Sequence, residues 1–149
     1  MRKELDEALC AKYPKIFKDR HGDMRETAMC WGFDCDDGWY NIIDKLCHVI
    51  QSHIDQREQQ RQYSVDNGKV PTVASVEQVV ATQVKEKFGT LRFYYFGGDD
   101  TIDGMVRMAE SMTEVSCETC GSPGKNRMGG WIRTLCDTHA KEKGYMDED

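Results

Sequence analysis

Four residues with the spacing of a metal site lie near the end of the chain. Cys117 and Cys120 are followed, after fifteen residues, by Cys136 and His139, which gives C-x2-C-x15-C-x2-H. Two residues between paired ligands let the backbone turn tightly round one ion, and three thiolates with one imidazole complete a tetrahedral shell for Zn2+. Four protein ligands leave no position for water, so we expect one structural zinc per chain. Gly121, Pro123 and Gly124 follow the first pair, and Met128-Gly129-Gly130 turns a hairpin into Trp131-Ile132-Arg133-Thr134-Leu135. With a short helix opening at the second pair, the expected module is treble-clef-like. The other cysteines read differently. Cys47 follows Leu46 on an apolar helix face and Cys10 follows Leu9, ordinary places for a small packed side chain. Cys30 and Cys35 stay open, since a second site with Cys47 and His48 needs adjacent helical residues to point one way.

Other chemistry finds weaker support. His48 and His53 are five apart, so the helical metalloprotease pair is absent. Asp34, Asp36 and Asp37, like Asp99, Asp100 and Asp103, precede predicted helices, where carboxylates cap free amides. No phosphate-binding glycine loop or nucleophile elbow occurs, and between Cys120 and Cys136 there is no histidine to serve a nuclease hairpin. We therefore read the chain as a non-enzyme. Lys125, Arg127 and Arg133 give the zinc hairpin a local charge of +3 beside Trp131. These four are the candidate nucleic-acid or partner contacts, against a simpler arrangement in which Trp131 packs over the metal.

The elements that must position these residues follow from periodicity. Leu5, Ala8, Leu9 and Tyr13 mark a first helix that Pro14 stops. The next segment is irregular and packs Ile16, Phe17, Met29, Trp31 and Phe33. From Asp37 a long helix carries Ile43, Leu46, Ile50 and Ile54 inward, widened by Trp39, Ile42 and Val49, and runs to about Arg61 before a turn at Asn67-Gly68. VEQVVATQVKEK and TLRFYYF flank Phe88-Gly89 as a hairpin, with Leu91, Phe93 and Tyr95 on one face and Arg92, Tyr94 and Phe96 on the other. Aromatics on both faces predict that at least part of the sheet is covered on each side. Ile102, Met105, Val106, Ala109 and Met112 stripe a last helix. The expected fold is α+β, helices on a hairpin-based antiparallel sheet, with a body over 1–112 and a zinc module over 113–149 packed on it.

Composition sets the class. The chain has 149 residues, 39% of them hydrophobic and 31% charged, enough for one domain's core. No apolar run approaches a membrane span and MRKELDEALC has no leader-like stretch, so a cytoplasmic protein is expected. Net charge of −6 argues against general nucleic-acid binding. Seven cysteines, an odd number, fit metal binding and burial better than disulfides.

The strings AMCWGFDCDDGWYNIIDKLC, VVATQVKEKFGTLRFYYFGGDDTIDGMVRMAESM and CETCGSPGKNRMGGWIRTLCDTHA resemble a family of small zinc-finger accessory proteins of tailed bacteriophages and prophages. The similarity runs from about Ala28 to His139. It implies a phage accessory protein with a zinc finger; the leading expectation is a protein of the host cytoplasm that binds a host protein stoichiometrically, as an inhibitor of a defence system or host enzyme. A zinc-stabilised nucleic-acid-binding regulator is the alternative, and a metal-dependent nuclease using the aspartates the third. The aromatic content also makes a homodimer an expectation.

Overall fold

The computed structural model describes residues 1–145, so the last four residues of the expected 113–149 module lie outside the description. Helix α1 (Lys3–Lys12) ends where the sequence places its stop: Tyr13 closes it with its amide on the Leu9 carbonyl, ahead of Pro14. A 3-10 helix over Ala28–Trp31 leads into a two-residue strand β1 (Phe33–Asp34), and a 3-10 turn over Asp37–Trp39 opens α2 (Tyr40–Asp66). Strands β2 (Glu77–Lys87) and β3 (Thr90–Gly98) form the hairpin, followed by α3 (Asp100–Thr113), β4 (Lys125–Arg127), β5 (Arg133–Leu135) and α4 (Asp137–Glu142).

The architecture is α+β. The main sheet has the order β1-β2-β3, with β2 and β3 antiparallel and β1 added parallel to β2, an edge the hairpin pattern did not predict. Phe33, Val84 and Phe93 share one register row and are all buried, while Asp34, Lys85 and Arg92 form the next row on the opposite face. Helices α2 and α3 cover the buried face, contributing Ile43, Leu46, Ile50, Ile54, Ile102, Val106 and Ala109 to the core around fully buried Trp39. Asp99 caps α3 by accepting the Ile102 amide at 3.0 Å.

Four expectations change. Helix α2 runs five residues past Arg61, to Asp66, where Gln62 bonds to Asp66 one turn on and the Asn67 side chain donates to the Tyr63 carbonyl. Trp31 is 69% exposed rather than packed, since the core beneath it is filled by Met29, Phe33, Ile16 and Phe17. On the second sheet face Tyr94 and Phe96 are left exposed, because both long helices pack on the other side. Asp36 and Asp37 make no side-chain cap for α2: Asp36 takes the Arg133 guanidinium and Asp37 accepts the Arg2 amide. Among the described residues no helix is long and apolar enough to cross a membrane.

Candidate metal centre

The first ligand pair sits in a tight turn after α3. The Gly121 amide donates to the Cys117 carbonyl and the Cys117 amide to the Ser122 carbonyl, both at 2.7 Å, which folds the chain round the two thiols. Gly121 adopts φ +78°, and a Cβ there would stand 2.8 Å from the Gly38 carbonyl, so glycine meets both the turn and the close approach. The second pair lies at the start of α4, delivered by the β4-β5 hairpin, whose register is Lys125 to Leu135 and Arg127 to Arg133.

Together these turns bring the ligand atoms of Cys117, Cys120, Cys136 and His139 within 4.8 Å of one another. The sulfur of Cys117 lies 3.6 Å from Nδ1 of His139, that of Cys136 lies 3.2 Å from the same nitrogen, and the Cys120 and Cys136 sulfurs are 3.9 Å apart. Tetrahedral bonds of about 2.3 Å to sulfur and about 2.0 Å to nitrogen require edges of roughly 3.8 Å and 3.5 Å, so the spacing fits one small ion. Burial works to raise the Cys117 thiol, but the Cys136, Cys120 and Thr119 amides hold it below its ordinary value. The Ser122 hydroxyl does the same for Cys120. Nε2 of His139 faces Glu142 at 3.7 Å, a carboxylate placed to orient the imidazole.

This is the one group of three or more ligand-type side chains among the described residues that could hold an ion. Cys30 and Cys35 do not join one: the Cys30 thiol meets the Thr27 carbonyl and Cys35 is buried, its thiol pushed up to about 12 by that burial. Cys47 is fully buried in the core, and Cys10 donates to Asp6, its thiol raised to about 11 first by burial. Neither aspartate cluster forms such a group: Asp99 faces Nε2 of His53 at 2.8 Å, and Asp103 accepts the Tyr95 hydroxyl.

The basic hairpin is neutralised from within. Arg127 is buried, donating to the Leu135 carbonyl at 3.2 Å and pairing with Asp137 at 2.6 Å. Arg133 pairs with Glu118 at 2.9 Å and with Asp36. Lys125 and Trp131 remain exposed, and Trp131, at 67% exposure, does not cover the metal centre. The small cluster there consists of Cys117, Leu135 and Ala140 with Cys136 and Tyr145.

Glu118, between the first two ligands, has a role the spacing alone did not reveal. Its buried carboxylate receives the Asp36 amide at 3.1 Å and Arg133, and burial raises its pKa against those partners. Its backbone receives the Gly38 amide at 2.7 Å and gives its own amide to the Thr134 carbonyl. The Trp39 indole donates to the Ser116 carbonyl at 2.9 Å, and the Thr134 hydroxyl to the Gly89 carbonyl at 2.7 Å. The ligand turn is thus fastened to the start of α2 and to the hairpin tip. A carboxylate inside the ligand pair was the only sequence signal. No family model matches the chain, and neither a curated protein nor a solved structure matches it.

Proposed function

We propose that the protein is a zinc-stapled, stoichiometric protein binder. Its ion is one structural Zn2+ per chain, held by Cys117, Cys120, Cys136 and His139 in a treble-clef-like module. The resemblance to phage accessory proteins makes a host protein, a defence component or an enzyme, the expected partner. The observation that carries the reading is a groove of about 550 Å3 between α2 and α3. Its floor is Leu46 and Ala109, and its walls are Ile42, Val49, Met105, Met108 and Met112. Met108 is 64% exposed and Met112 48%, an unusual placement for flexible apolar side chains in a chain of mean hydropathy −0.68. Methionine-lined grooves between helices accept an amphipathic partner helix. Lys45 is the charged residue of the lining, so acidic groups on the rim of that helix complement it.

The experiment is reconstitution of a captured host protein with the purified chain. One-to-one stoichiometry, with affinity reduced at least tenfold in Met108→Lys while zinc content and circular dichroism stay unchanged, supports the proposal. Capture indifferent to Met108→Lys overturns it, and so does a homodimer that the substitution dissolves, which assigns the groove to a second copy. The nucleic-acid reading through Lys125, Arg127, Trp131 and Arg133 is weakened by the internal pairing of both arginines.

A further inference from the structure

The turn joining β2 to β3 carries a residue that folding alone would not choose. Phe88 has φ +54° and Gly89 φ +79°, so both central residues of this two-residue turn are left-handed. Such turns favour Asn-Gly, because a bulky side chain is strained at positive φ. Phe88 is also 65% exposed and adds nothing to the core. Strain held in an exposed aromatic points outward, to a ligand.

The surroundings fit one chemistry. Phe88 and Trp131, both about two-thirds exposed, border a cleft of about 340 Å3 together with Lys85, Glu86, Lys87, Gly130 and Ile132. The Glu86 carboxylate is turned back onto the Gly89 amide. Lys85 and Lys87 also border an adjoining depression of about 480 Å3 with Thr82, Gln83 and Tyr94, so the two lysines stand between the hollows. Beyond them the open sheet face continues through Arg92, Tyr94 and Phe96. Among the described residues Lys85, Lys87 and Arg92 form no ion pair. The carboxylates near them are Glu86 in the cleft, Asp34, in register with Lys85, and Glu26 at the edge of the second depression.

We propose that this face binds single-stranded RNA. Phe88 and Trp131 stack on one base, Tyr94 and Phe96 on the following ones, and Lys85, Lys87 and Arg92 meet the phosphates between. Exposed aromatics on alternate positions of a sheet are the usual stacking platform for unpaired bases. The complementarity is local: Lys85, Lys87 and Arg92 face Asp34, Glu26 and a Glu86 carboxylate already occupied by the Gly89 amide. Thr82 and Gln83, beside Tyr94, each offer a donor and an acceptor, the combination that recognises a ribose 2′-hydroxyl. This face is separate from the α2-α3 groove.

Fluorescence anisotropy with labelled 12-nucleotide oligouridylate and oligoadenylate tests the proposal. Three phosphate contacts give log affinity against log salt a slope of about −2, falling to about −0.7 in Lys85→Gln/Lys87→Gln. Phe88→Asn separates binding from folding: it relieves the turn and raises the denaturation midpoint, yet reduces RNA affinity about tenfold. Trp131→Ala lowers affinity similarly. No binding at low salt, unchanged affinity in Phe88→Asn, or equal affinity for DNA of the same sequence or for duplex RNA overturns it.

Discussion

Gly38 joins the two parts of the molecule because it has no side chain. A Cβ there would stand 2.3 Å from the Cys117 carbonyl and 2.4 Å from that of Glu118, and both atoms belong to the backbone turn that aims the metal ligands. Neither can move aside without moving a ligand. Gly104 is the opposite case, a glycine inside α3 where an added methyl would meet nothing within 4 Å. Gly38→Ala should therefore cost about 2 kcal/mol or more, as overpacking does, whereas Gly104→Ala should gain roughly 0.5–1 kcal/mol from helix propensity. Urea denaturation of both variants checks the contrast, and equal midpoints would refute it. The clash at Gly38 joins residues about eighty positions apart, so no local pattern could announce it. The clustering of Cys117, Cys120, Cys136 and His139, by contrast, was legible from spacing, because tetrahedral coordination dictates spacing.

At the scale of elements, α3 shows how a start is fixed. Asp99 accepts the Ile102 amide and also meets His53 of α2, so a single carboxylate caps one helix and ties it to another. Its partial burial works to raise its pKa, but the His53 and Ile102 hydrogen bonds outweigh that and hold it below its ordinary value. A carboxylate depressed in the folded state stabilises it above the unfolded pKa and loses that contribution as pH falls through the folded one. Stability should thus drop with acidification below about pH 4, the usual carboxylate range, less steeply in Asp99→Ala. At neutral pH that variant should cost about 1 kcal/mol, the usual worth of a cap. Thermal melts of both proteins from pH 7 to pH 3 measure the difference, and parallel curves would remove Asp99 from the account. This cap was readable, as were the end of α1 before Pro14 and the hairpin at Phe88-Gly89, since each follows from neighbours in sequence. The two-residue β1 was not, because only its register with β2 makes it a strand. Met108, Met112, Tyr94 and Phe96 were not either: periodicity names the face of a helix or strand, and tertiary packing decides whether that face is covered.

At the scale of the molecule, the candidate metal centre is fastened to the body by hydrogen bonds. The cluster of Cys117, Leu135 and Ala140 is too small to hold the C-terminal segment by apolar burial, so an ion held by the four clustered side chains would supply much of its folding energy. That energy would reach the body through Glu118, Gly38, the Trp39 indole on Ser116 and Thr134 on Gly89. Tryptophan offers a reporter of the coupling. Trp39 is fully buried, while Trp31 and Trp131 are 69% and 67% exposed, so Trp39 should dominate the near-ultraviolet circular dichroism. Chelation should reduce that signal while leaving most far-ultraviolet helix signal, because α1, α2 and α3 lie in the main core. Cys117→Ser should reproduce the change without chelator, and adding Zn2+ should restore the wild-type spectrum but not the variant's. If the near-ultraviolet band survives chelation with elemental analysis finding no metal, the ligand turn is held by the body alone, and the ion has no part in shaping the core around Trp39.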